Sequence, residues 1–236
     1  MSITTTTLTR SAGLAAVAAG LLFIGVQINH PHLDATFLTS TEWAVRQTLQ
    51  VLMAVLSLVG ITGMYLRQAK QAGVLGLLGY AVFGAGYLIM MSTEVIGLVV
   101  LPSLVHSSPG YVNDVLAVAT GGHATGDIGL VQALSLAAGL TYIAGGLIFG
   151  IALFRANILA RWAAALLAVG TTASIAIPFL PQINERLFAV PTGVALIGLG
   201  YSLWLERRTA GRSLPDAARL PLDPALAKLA GEIGHS

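Results

Sequence analysis

Long apolar runs separated by brief polar breaks dominate this chain. Residues 11–28, 43–66, 74–101, 129–154, 161–179 and 187–205 each come near the roughly 20 apolar positions that a bilayer core requires of a helix. The breaks are sharp. Asn29-His30-Pro31-His32-Leu33-Asp34 ends the first run, Arg67 and Lys70 the second, and Pro102 the third. Arg155 follows the fourth, Pro178 and Pro181 close the fifth, and Glu206-Arg207-Arg208 ends the sixth. The pattern predicts an all-α integral membrane protein, a six-helix transmembrane bundle. Arg10 before the first run resembles a signal-peptide start, but the run is long enough to span and no small-residue cleavage site follows, so a retained first helix is expected.

The longest connection, about 103–128, carries Ser108 followed by Pro109, an N-cap and first helical residue. A short outer helix is expected up to Ala119, stopped by Gly121-Gly122. Residues 1–208 then form one transmembrane domain and 209–236 a polar tail punctuated by Pro215, Pro221 and Pro224, with Asp223-Pro224 a start for a short surface helix. A faint likeness links the first and fourth runs: Ala12-Gly13-Leu14 with Ala138-Gly139-Leu140, and Gly20 and Phe23 with Gly146 and Phe149. As a true repeat it would be an inverted three-plus-three arrangement, as in transporters. As small-residue patterning it marks close helix packing and a route to homo-oligomers.

Composition agrees with the pattern. Only 9% of the 236 residues are charged and 56% are hydrophobic, against roughly 25% charged in a globular domain. Alternating crossings place ten of the twelve basic residues on one side, leaving only Arg46 and Arg186 on the other. The positive-inside rule then makes both termini cytoplasmic in a multi-pass cell-membrane protein. No nucleic-acid partner is expected. The absence of cysteine excludes disulfides, thiolate nucleophiles and Cys-based metal centres. No phosphate loop, dinucleotide fingerprint or Gly-x-Ser-x-Gly elbow occurs.

What chemistry remains is acid–base. Glu94 lies in the third apolar run, where a carboxylate needs a cavity, a partner or a proton. Glu42, Arg46 and Gln50 recur every four residues and share one helical face, flanked by Trp43 and Gln47. Tyr87 precedes Glu94 by two turns, Asp127 and Gln132 open the fourth run, and Gln27 and Asn29 close the first. All fall in the outer half of the bundle and imply a shared polar pocket. Arg46 and Glu94 are expected to face each other, either as a structural ion pair or as part of a site. His30 and His32 are candidate metal ligands, but no metal and no cofactor is expected; haem would need histidines within the bundle.

Leu8–Leu14, Gly63–Gln68, Leu147–Gly150 with Arg161-Trp162-Ala163, and Val190–Gly193 with Gly200–Trp204 resemble uncharacterised small six-span membrane proteins of actinobacteria. That group implies no activity. In size and in its few intramembrane acids the chain also resembles small membrane-bound terpene cyclases. That likeness implies carboxylic acids protonating an isoprenoid within the bilayer. The functional expectation is an intramembrane enzyme of cyclase or isomerase type, acting on an apolar isoprenoid or lipid. Glu94, Asp127 and Glu42 are its candidate acids. Arg46, Gln50, Trp43, Tyr87, Gln132 and Asn29 are its candidate substrate contacts, with Trp43 and Tyr87 offering cation-stabilising faces. Two alternatives use the same residues: a small transporter or lipid-binding protein with Arg46 on an anionic head group, and a structural accessory subunit.

Overall fold

A computed structural model describes residues 4–28, 34–179 and 189–212, and all regular structure among them is helical. Helix α1 spans Thr5–Gly25, its start fixed by the Thr4 hydroxyl accepting from the Thr7 amide. Helix α2 spans Thr41–Val99, with the Ser40 hydroxyl accepting from the Trp43 amide. It is two antiparallel arms, 41–67 and 74–99, joined through non-helical backbone at Gln68 and Gly73. Gly73 sits at φ 57°, ψ −151°, a conformation open to glycine and costly for any other residue. Two short helices follow, α3 (Leu101–Leu104) and α4 (Pro109–Ala119). Then come α5 (Val131–Ala156), α6 (Arg161–Ala173) with a 3-10 extension over Ser174–Phe179, and α7 (Ala189–Arg212).

The six long segments close into a ring in chain order: α1, first arm of α2, second arm, α5, α6, α7, and back to α1. Neighbours are antiparallel, and glycines set their separation. A Cβ on Gly13 would stand 2.7 Å from the Gly200 carbonyl oxygen, joining α1 to α7. On Gly79 it would stand 2.5 Å from the Phe149 nitrogen, and on Gly150 2.7 Å from the Ala168 nitrogen. Backbone in these places touches backbone, an approach that larger residues forbid and that dispersion rewards.

Two cores result. The larger fills the ring with Phe83, Tyr87, Tyr142 and Phe149, whose centroids lie 4.9–6.3 Å apart in edge and tilted contacts. The smaller lies at the end opposite the 68–73 turn. There Leu38, Leu101, Val112, Val115, Leu116 and Ile128 enclose Trp43 beneath α4, forming a cap. Outside the ring, large apolar side chains such as Leu14, Leu21, Leu78, Leu136, Trp162 and Val169 are exposed. Three helices, α1, α2 and α5, are long and apolar enough to cross a membrane.

The all-helical fold and a short helix between the third and fourth runs match expectation, including Pro109 in the first turn of α4 and Gly121 at φ 82° beyond its end. Several boundaries move. Helix α1 begins six residues before Ser11 because Thr4 caps it, and α7 runs on to Arg212. Pro102, expected to stop the third run, instead lies in the first turn of α3, where a missing N–H costs nothing. The fifth run is α-helical only to Ala173. The likeness between the first and fourth runs reflects shared small residues rather than equivalent packing. Gly13 is wedged against Gly200, whereas a Cβ on Gly139 would meet nothing within 4 Å; Gly20 abuts α7, whereas Gly146 abuts Thr171 of α6. Residues 213–236, with Asp223-Pro224, lie outside the described residues.

Candidate functional site

The cap end carries the polar groups that the sequence singles out, and the fold sorts them into separate places. Arg46 and Glu42 are one turn apart on α2 and pair directly, Nη2 to Oε1 at 2.8 Å and Nε to Oε1 at 2.8 Å. The guanidinium also reaches across to the end of α1. Its Nη1 donates to the Val26 carbonyl at 3.1 Å and the Ile28 carbonyl at 3.4 Å, and its Nη2 to Ile28 at 3.4 Å. Helix α1 has no basic residue in its last turn. Arg46 supplies one from a neighbour, placing a cation by the negative end of the helix and bonding the carbonyls of its C-cap Val26 and of Ile28 just beyond.

The expected Arg46–Glu94 pairing is therefore replaced by Arg46–Glu42. An i, i+4 partner is available with little further ordering, and the carbonyls of α1 hold the guanidinium toward that helix. Glu94 meets Gln47 instead, the next residue along and about 100° further round the helix. The Gln47 amide is buried, stands beside the Glu94 carboxyl, and donates to the Glu94 backbone carbonyl at 3.4 Å. Gly97 makes room for it, since a Cβ there would collide with Gln47 Nε2. Glu94 itself is half-buried.

Trp43 is pinned rather than offered to a ligand. Its indole N–H donates to the Gly97 carbonyl at 3.0 Å, and its ring meets Phe37 edge-on. Tyr87 is fully buried in the larger core, with no hydrogen-bond partner for its hydroxyl among the described residues. Asp127 is exposed and accepts from the Gly129 amide at 2.8 Å, shaping the turn into α5. Gln132 is exposed and Gln50 half-buried. Asn29, His30 and His32 lie outside the described residues, among which no three His, Asp or Glu side chains gather as a metal site would need. The three candidate acids thus occupy three settings: Glu42 in an ion pair, Glu94 beside Gln47, Asp127 in a turn.

A carboxylate to which the sequence gives no role gathers three donors. Asp114 of α4 accepts from the Thr125 amide at 2.9 Å, the Thr125 hydroxyl at 3.0 Å and the Gly126 amide at 2.8 Å. The Thr125 and Gly126 amides, then the hydroxyl, hold its pKa below the ordinary carboxylate value. A Thr-Gly turn eleven residues after an aspartate is the signal that marks such a clasp. It ties the loop after α4 back onto the helix.

A groove of about 340 Å³ opens at this end, between the last turn of α1 and the first turns of α2. Gly25, Val26, Ile28, Val45 and Leu49 form its apolar walls; Thr41, Glu42 and Arg46 form its polar mouth. Among the described residues, a Cβ on Gly25 would meet nothing within 4 Å, so the glycine leaves this side open to them. Glu94 and Asp127 are not among its lining residues. No family model matches the chain, and no curated protein or solved structure is significantly similar to it.

Proposed function

We propose that this is a multi-pass membrane protein that binds a lipid-like amphiphile in the groove between α1 and α2. The six ring segments each cross the bilayer, the cap faces outward, and both ends of the chain are cytoplasmic. The exposed leucines, valines and Trp162 around the ring suit contact with lipid tails and would be anomalous in water. Charge placement supports the orientation. Arg10, Arg67, Lys70, Arg155 and Arg161 sit at the end bearing the 68–73 turn, while the cap end holds Glu42, Glu94, Asp114 and Asp127.

The observation that carries the binding reading is the groove itself. It lies within the roughly 300–1,000 Å³ of small-molecule sites and joins apolar walls to a few polar groups at one end. That is the shape of an amphiphile, with its chain along Val26, Val45 and Leu49 and its head at Glu42 and Arg46. A photoreactive lipid carrying a diazirine in its chain tests this in intact membranes. Labelling should fall on peptides containing residues 25–28 and 45–49; labelling spread evenly over the exposed leucines would reject a specific site. Orientation is tested with an impermeant thiol reagent on intact cells. Ser108→Cys should react and Ser213→Cys should not.

A second reading, acid-driven turnover of an isoprenoid, draws on Glu94, half-buried in an apolar helix beside Gln47. Glu94→Gln keeps the shape and hydrogen bonding but removes the proton donor. It should cost at least ~10²-fold in turnover of a polyprenyl substrate if Glu94 is the acid. Unchanged activity in the folded variant ends that reading.

A further inference from the structure

The groove, once accepted as an amphiphile site, also has a preferred head-group charge, an inference that rests on the binding reading above. We infer that it selects a cationic, ammonium-type head over an anionic one. The sequence alone suggests the reverse, with Arg46 meeting an anion. Geometry reverses the sign because the guanidinium is already committed to Glu42 Oε1 and to the carbonyls of Val26 and Ile28. Its side chain is only 18% exposed, against 55% for Glu42. An anionic head would have to pull Arg46 from the end of α1, then sit against the negative end of that helix.

Glu42 is oriented the other way. Both of its bonds from Arg46 end on Oε1, and among the described residues Oε2 accepts none. The mouth of the groove therefore presents an ionised acceptor with unused capacity, beside a cation turned inward. The opposing positive end of α2 is already answered there, by Glu42 in its first turn and by the Ser40 hydroxyl bonding the Trp43 amide. An ammonium group can donate to Oε2 and leave the Arg46 bonds in place. Its chain then runs past Gly25, where no side chain of the described residues intrudes.

The test titrates the full-length protein in phosphatidylcholine nanodiscs with tetradecylammonium or tetradecyl sulfate, reading bound amphiphile by native mass spectrometry. The ammonium probe should bind at least about tenfold tighter, the discrimination that one charge-assisted hydrogen bond supplies. Glu42→Gln should shrink that preference while still binding the chain. Gly25→Phe should block both probes with no loss of melting temperature, since its Cβ has open space. Nanodiscs containing phosphatidylethanolamine settle the source of the ammonium: displacement of the probe identifies a bilayer lipid, and retention a free amine. Equal or tighter binding of the sulfate, or an undiminished preference in Glu42→Gln, overturns the assignment of charge and leaves the groove standing. Failure of both probes to bind wild-type protein overturns the groove as well.

Discussion

Glycine is used in two opposite ways in this bundle. Along most of the ring, Gly13, Gly79 and Gly150 let backbones touch, and nothing larger fits. On Gly25, at the end of α1, and on Gly139, within α5, a Cβ would meet nothing within 4 Å among the described residues. The first arrangement spends small residues on cohesion. The second leaves room, and in the case of Gly25 that room is bounded by an ion pair. What each glycine meets, rather than residue type, therefore separates scaffold from candidate site.

The contrast is broken most forcefully by adding one branched side chain to each region. Gly13→Val and Gly79→Val drive atoms into backbone that cannot yield, and each should destabilise the protein by about 3 kcal/mol. Gly25→Val and Gly139→Val should melt within error of wild type in the same detergent. Equal losses at all four positions would erase the distinction. Trp43 joins cap to ring, so Trp43→Phe should cost about 2 kcal/mol by leaving the buried Gly97 carbonyl unpaired. The cap should then be cleaved by protease near residues 105–109 before the ring unfolds.

A finer comparison uses two tyrosines in one aromatic cluster. The Tyr142 hydroxyl donates to Thr192 Oγ1 at 3.2 Å, whereas the Tyr87 hydroxyl, near Ser57, has no hydrogen bond among the described residues. Tyr142→Phe should cost about 1 kcal/mol, and Tyr87→Phe should be neutral or stabilising. A matching loss at Tyr87 would mean that its hydroxyl, and Ser57 with it, holds a buried water.

The smallest effect concerns the cap clasp. Asp114 has a lowered pKa when folded, so its contribution is complete above the unfolded carboxylate value of roughly 3.9 and is lost as pH falls through the folded one. Hydrogen exchange at the Thr125 and Gly126 amides, corrected for intrinsic rates, should stay slow from neutral pH down to that range and then accelerate. Asp114→Asn should abolish the pH dependence while the ring is unaffected.

Much of the helical scaffold was legible in the sequence because long apolar runs with sharp polar breaks mark helices and their ends. Apolar run length marked the segments, and Ser108-Pro109 with Gly121-Gly122 marked α4 nearly to the residue. Side-chain partners were less legible. Spacing puts Glu42 and Arg46 on one face, but only the fold brings the end of α1 beside Arg46. Tyr87 reads as a pocket residue by depth, yet the close Gly145–Phe83 approach draws its helix against α5 and seals it in the core. Depth along a helix follows from sequence; which neighbour a face meets depends on the ring order and on where glycines permit contact.

The central claim is that the groove beneath Arg46 holds an amphiphile. An experimental structure in lipid nanodiscs tests it most directly. Elongated density should lie along Val26, Val45 and Leu49, with its polar end within hydrogen-bonding distance of Glu42 Oε2 and the Arg46–Glu42 pair intact. A groove filled only by ordered water, or closed by movement of α1 onto α2, would contradict it.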